Sequence, residues 1–182
     1  MNLDYIFYCA PQESGRITSI AAIRTGPDGK VQGAYSSKTT ITGLDATRGV
    51  LQGLQAELVT GLSAQYVVVS FFAEHDRPTL KRESERVSLG TNEVFPGRTW
   101  ISLSQLAWPL AFSDLISERS LKEMCRYYKV EYNIKDAEEE CKTLMKVFGV
   151  LMRRYRTALI GEDAVSEVAG PTFEHFRNII GL

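Results

Sequence analysis

The run Val67-Val68-Val69-Ser70-Phe71 constrains this chain more than any other stretch. It is β-branched and aromatic and lacks the polar alternation of a half-exposed strand. It therefore reads as a strand from Gln65 to Phe71 buried on both faces. Such strands belong to sheets with helices on either side. The strand leads into Ala73-Glu74-His75-Asp76-Arg77, which reads as a turn bearing His75 and Asp76. A charged helix follows from Asp76 to Val87, with Pro78 in its first turn. An acid in such a crevice is suited to metal-dependent phosphoryl chemistry.

The preceding chain supplies the rest of a sheet. Asp4 to Cys9 reads as a strand, Arg16 to Thr25 as a second and Lys30 to Ser37 as a third. Gly26-Pro27-Asp28-Gly29 turns the second into the third. From Thr42 to Leu62 the period changes, with Val50, Leu51, Leu54 and Leu58 at helical spacing. Gly49 and Gly53 there suggest close packing of helix on sheet. Beyond the charged helix, Arg98 to Leu103 reads as a short fifth strand. A helix from Ser104 toward Phe112 and another from Ser120 to Tyr128 come next. The clearest helix runs from about Asn133 to Tyr155, with Asn133 as cap and Asp136 in the first turn. Residues 162–169 and 172–180 read as a terminal helical pair.

This order predicts an α/β fold: a mixed five-stranded sheet, antiparallel three-strand meander plus parallel strands, flanked by helices, with ribonuclease-H-like topology. The 182 residues suffice for one domain, 1–182, of which 160–182 form a helical extension. A net charge of −1 argues against a generally basic nucleic-acid-coating protein and leaves room for a local basic groove. No apolar run is long enough to span a bilayer. Cys9, Cys125 and Cys141 are far apart in sequence and read as buried reduced thiols, so a cytoplasmic location is expected.

From Asp4 to about Tyr155 the chain resembles the DEDD-type 3′–5′ exonucleases in motif order and spacing. Ala73-Glu74-His75-Asp76-Arg77-Pro78-Thr79-Leu80 resembles that family's middle motif, and Tyr132-Asn133-Ile134-Lys135-Asp136 its late one. Trp100 to Leu110 and Ser120 to Val130 resemble the helical framework between them. The resemblance implies that Asp76 and Asp136 are metal ligands and that Mg²⁺ or Mn²⁺ is the cofactor. It also makes Tyr132, which matches the Tyr-x-x-x-Asp spacing of one branch, a water-positioning residue. The other branch carries a His five residues before the Asp, where this chain has Glu131. The family's first motif, Asp-x-Glu, is not matched: Cys9, Ala10, Pro11 and Gln12 stand at the end of the first strand, with Asp4 at its wrong end.

Half a carboxylate set holds one Mg²⁺ loosely at best, so a weak or absent metal site is expected. The leading expectation is a catalytically impaired or inactive exonuclease-like protein acting through single-stranded DNA or RNA, or through a protein partner. One alternative is an active enzyme that recruits Glu13 or Glu131 as replacement ligand, with His75 as proton shuttle. Another is a pure protein-interaction or inhibitor module. Lys38, Arg77, Lys81 and Arg82 are the candidate contacts to a nucleic-acid strand. The run Glu138-Glu139-Glu140 reads as a solvated helix face.

Overall fold

Val67, Val68 and Val69 sit in the middle of the sheet, at most 3% exposed. Each buried valine contributes roughly 1.5–3 kcal/mol of hydrophobic stabilisation. The structure, a computed structural model, describes residues 3–37, 40–59, 65–89, 94–95, 98–107 and 120–160. Its main sheet is built from β1 (Asp4–Cys9), β4 (Ala21–Thr25), β5 (Val31–Ser36), β6 (Tyr66–Ser70) and β7 (Trp100–Ser102), in the order β5-β4-β1-β6-β7. Strands β5, β4 and β1 pair antiparallel, while β1-β6 and β6-β7 pair parallel. This is the expected mixed sheet.

Strand pleating sends alternate side chains of β1 to opposite cores. Ile6 and Tyr8 pack with α1 (Gly43–Leu58) and α2 (Ala73–Arg86). Phe7 and Cys9 pack with α3 (Leu103–Ala107), α4 (Leu121–Tyr128) and α5 (Ala137–Ile160) on the other side. Two helical layers thus enclose the sheet. Gly53 is needed for this packing, because a Cβ there would lie 2.9 Å from the Tyr35 ring; a Cβ on Gly49 would meet nothing within 4 Å.

Three local expectations change. The strand expected over Arg16 to Thr25 is interrupted: Gln12–Glu13 (β2) and Arg16–Ile17 (β3) form a separate hairpin. Positive φ at Ser14 and Gly15 makes the tight reversal. Thr18 then bonds back to the Pro11 carbonyl through both N–H (2.9 Å) and hydroxyl (3.1 Å), leaving the main ladder.

Helix α2 starts at Ala73, not Asp76. The N–H groups of both His75 and Asp76 donate to the Phe72 carbonyl at 2.9 Å, so these residues lie in the first helical turn rather than before it. Pro78 consequently sits inside the helix. Helix α5 starts at Ala137, and its cap is Asp136 rather than Asn133: the Asp136 carboxylate accepts from the Glu139 N–H at 2.8 Å.

The helix expected from Ser104 is described only as α3, and its continuation lies outside the described residues. The terminal pair over 162–180 also lies outside them. No helix among the described residues is long and apolar enough to cross a membrane. Cys9, Cys125 and Cys141 are buried and unbridged.

Candidate functional site

Strands β1, β6 and β7 run parallel and end at Cys9, Ser70 and Ser102. The carboxyl ends of parallel strands are where α/β sheets gather ligand-binding groups. Helix α2 begins within a few residues of β6 and carries Glu74, His75 and Asp76 to this edge. From the other layer, the first turns of α5 bring Glu140 and Cys141 against the end of β1. The Cys141 thiol lies 3.1 Å from the Ala21 carbonyl, and Ala21 is the ladder partner of Cys9.

Asp76 is the centre of this edge. Burial pushes its carboxyl up to about 6. The Ser70 hydroxyl beside it pulls the other way, Glu74 pushes it further up, and His75 offsets part of the rise. The Ser70 hydroxyl, itself fully buried, does not reach the geometry of a full hydrogen bond and has no other partner among the described residues. The Tyr8 hydroxyl, close enough to feel the charge of Asp76, is likewise buried without a partner.

Glu140 on α5 lies within reach of the Asp76 charge; burial raises its pKa and Asp76 raises it further. The Cys9 thiol is 4% exposed. Its pKa is raised well above the ordinary value by burial first, then by a hydrogen bond with Cys141 and by the charges of Glu140 and Asp76. It is held as a neutral thiol. Glu74 points toward β7, where its carboxylate accepts from the Ser102 hydroxyl at 2.7 Å, with Ser104 3.0 Å from Ser102.

No family model and no curated protein matches the chain. Solved structures do match. A crystal structure of a full-length 3′-exonuclease aligns with a TM-score of 0.55 and 11% identity, over 84% of this chain and 81% of that one. The nuclease domain of 3′hExo, a DEDDh family member bound to rAMP, aligns with a TM-score of 0.54 and 13% identity, over 84% of this chain and 92% of that one. The fold is that of a 3′-exonuclease.

On this exonuclease fold the structure redistributes the residues singled out from sequence. Asp76 stands in the first turn of α2, just past the end of β6. Asp136 is an exposed helix cap one turn before Glu140, and Glu140 is an acid of α5 that feels the charge of Asp76. Tyr132 is 43% exposed, and Glu131 lines a cavity beside the N-terminal half of β1.

Glu13 is exposed on the β2–β3 hairpin, which is fastened to α2 by Arg82 donating to the Gly15 carbonyl at 2.8 Å. Asp4, at the far end of β1, is bound by Arg24 at 2.8 Å. His75 is exposed, with its ring centroid 6.0 Å from that of Phe72. Arg77 and Lys81 are exposed one turn apart on α2. Lys38 lies outside the described residues.

Glu140 was legible in principle. It falls three residues after Ala137 and four before Leu144, on the apolar stripe of α5, so one acid interrupts a buried face. Its neighbours Glu138 and Glu139 are solvated as expected and pair with Lys142 at 2.9 and 3.0 Å.

Mg²⁺ requires near-octahedral oxygen donors at about 2.0–2.1 Å. The edge offers Asp76 and Glu140 beside a protonated thiol. Among the described residues no three His, Cys, Asp or Glu side chains are grouped closely enough to hold a metal ion. This donor set does not fit a pair of divalent ions.

Proposed function

We propose that this chain is a catalytically impaired exonuclease-fold protein that binds a single nucleic-acid strand without trimming it efficiently. The observation that carries this reading is Cys9: a buried neutral thiol stands beside Asp76 and Glu140, where phosphodiester hydrolysis by two metals needs further carboxylate oxygens. Two acids within reach of each other's charge still attract a cation weakly, but they do not fix two ions about 4 Å apart. The strand-binding half of the proposal draws on Arg77 and Lys81, which enter no ion pair among the described residues and flank the Asp76 edge on the exposed side of α2. Arg82 adds charge to the same flank while bracing the hairpin.

Fluorescence anisotropy with a labelled single-stranded oligonucleotide in EDTA tests the binding. Phosphate contacts release counterions, with a slope of about −0.7 in log K per contact on single strands. The Arg77→Ala/Lys81→Ala variant is expected to bind about tenfold more weakly at low salt, with a slope shallower by about 1.4. Equal affinity and slope in the variant, or no binding by the parent protein at low salt, rules out this strand-binding surface.

A second reading, an active metal-dependent 3′–5′ exonuclease with a rebuilt carboxylate site, is favoured by Glu140 lying within reach of the Asp76 charge. It differs in requiring metal-dependent trimming that disappears in both Asp76→Ala and Glu140→Ala.

A further inference from the structure

A cavity of about 740 Å³ opens away from the Asp76 edge, between the N-terminal half of β1, the β4–β5 turn and the middle of α5. That volume lies within the roughly 300–1,000 Å³ range of small-molecule sites. Three aromatic rings line it. Tyr5 and Phe148 have centroids 5.3 Å apart, Phe7 and Phe148 5.4 Å, and Tyr5 and Phe7 6.4 Å. Phe7 and Phe148 are buried, whereas Tyr5 is only half-buried, so part of an aromatic ring remains open to the cavity. Half-buried Met145 and Met152 add flexible, polarisable wall.

Gly149 carries the argument further. It lies deep inside α5 and lines the cavity, although glycine is the poorest helix former after proline. The contrast with Gly53 is direct. At Gly53 the Tyr35 ring leaves no space for a side chain, whereas a Cβ on Gly149 would meet nothing closer than an Arg153 Nη1 at 3.8 Å among the described residues. Packing among the described residues does not require a glycine there. A flat ligand lying against the helix backbone does, because any side chain at 149 would stand in its place.

Lys146, one turn earlier on the same helix face, is exposed at the mouth and enters no ion pair among the described residues. The acids of the lining are placed differently. Asp28 is bound to Lys30 at 3.3 Å, and Glu131 belongs to the opposite wall before α5.

We propose that this cavity is a binding site for a planar aromatic molecule carrying a single negative charge. The ring lies on the Gly149 floor against Tyr5 and Phe148, and the anion faces Lys146. The site is independent of the Asp76 edge, so its success or failure leaves the proposed function untouched.

The probe is 8-anilinonaphthalene-1-sulfonate, an aromatic monoanion, titrated into the full chain and followed by its fluorescence, with circular dichroism confirming the fold of each variant. The expected result is one saturable site, weakened at least tenfold in Gly149→Leu and about threefold to fivefold in Lys146→Gln. Gly149→Ala guards against misfolding of the larger substitution. It is expected to raise the melting temperature through better helix propensity while weakening the probe at least threefold. Absence of a saturable site, or probe affinity unchanged in folded Gly149→Leu or in Gly149→Ala, would overturn the proposal.

Discussion

Two acids on helix α2, seven residues apart and therefore on nearly the same face, live in opposite circumstances. Glu83 is 2% exposed and paired: Arg86 donates to its Oε2 through Nε at 3.0 Å and Nη2 at 2.6 Å, and Nη2 also reaches the Thr47 hydroxyl of α1 at 3.1 Å. Asp76 is partly buried at the strand ends; among the described residues His75 is the cation whose charge offsets the rise, and the charges of Glu74 and Asp76 and of Asp76 and Glu140 oppose each other. Burial with an arginine that donates twice to one oxygen makes Glu83 part of the scaffold that joins α1 to α2. Burial without one leaves Asp76 with charge to place, as in sites shaped around a ligand.

Breaking the satisfied side has the largest expected effect. Arg86→Met strands the Glu83 carboxylate in the core, and a buried charge deprived of its partner costs about 3–5 kcal/mol. Urea denaturation should show this loss, and Glu83→Met in the same chain should recover most of it, since a buried ion pair replaced by apolar groups is often near neutral.

The unsatisfied side should respond with the opposite sign. The folded-state pKa of Asp76 lies above its ordinary value, so the native state holds a proton that the unfolded chain releases. The resulting destabilisation is absent below about pH 4 and complete above about 6. Asp76→Asn is therefore expected to stabilise the fold at pH 7.5 by about 2 kcal/mol, after allowance for partial solvent screening, and to leave it unchanged at pH 3. Chemical denaturation at the two pH values measures the difference; destabilisation at pH 7.5 would mean that Asp76 has a stabilising partner after all. The smallest effect is on the neighbour: in Asp76→Asn the Glu140 pKa should fall, a shift visible by carboxyl NMR titration.

The same contrast explains what the sequence revealed. The valine run announced the sheet because a strand covered on both faces has no polar alternation, and it fixed the helices on either side of it. Asp76 was visible because it follows that strand directly. Asp136 was open to two readings, since an acid beside a helix start serves equally as cap or as ligand; in the first turn of α5 it caps. Glu140 hid within a run of three glutamates; its register on the apolar stripe distinguishes it, and charge composition does not. The hairpin that interrupts the second strand is closed by the Thr18 N–H and hydroxyl donating to the Pro11 carbonyl, a local choice that the strand pattern does not encode.

The central claim is that the end of β1, closed by the neutral thiol of Cys9, leaves the Asp76 edge without an efficient hydrolytic site. The most direct measurement is release of nucleotides from a 5′-labelled single strand at saturating Mn²⁺ and Mg²⁺, with Asp76→Ala run in parallel. The account predicts that the parent protein and the variant trim at the same background rate. Robust metal-dependent trimming by the parent protein, lost in Asp76→Ala, would contradict it.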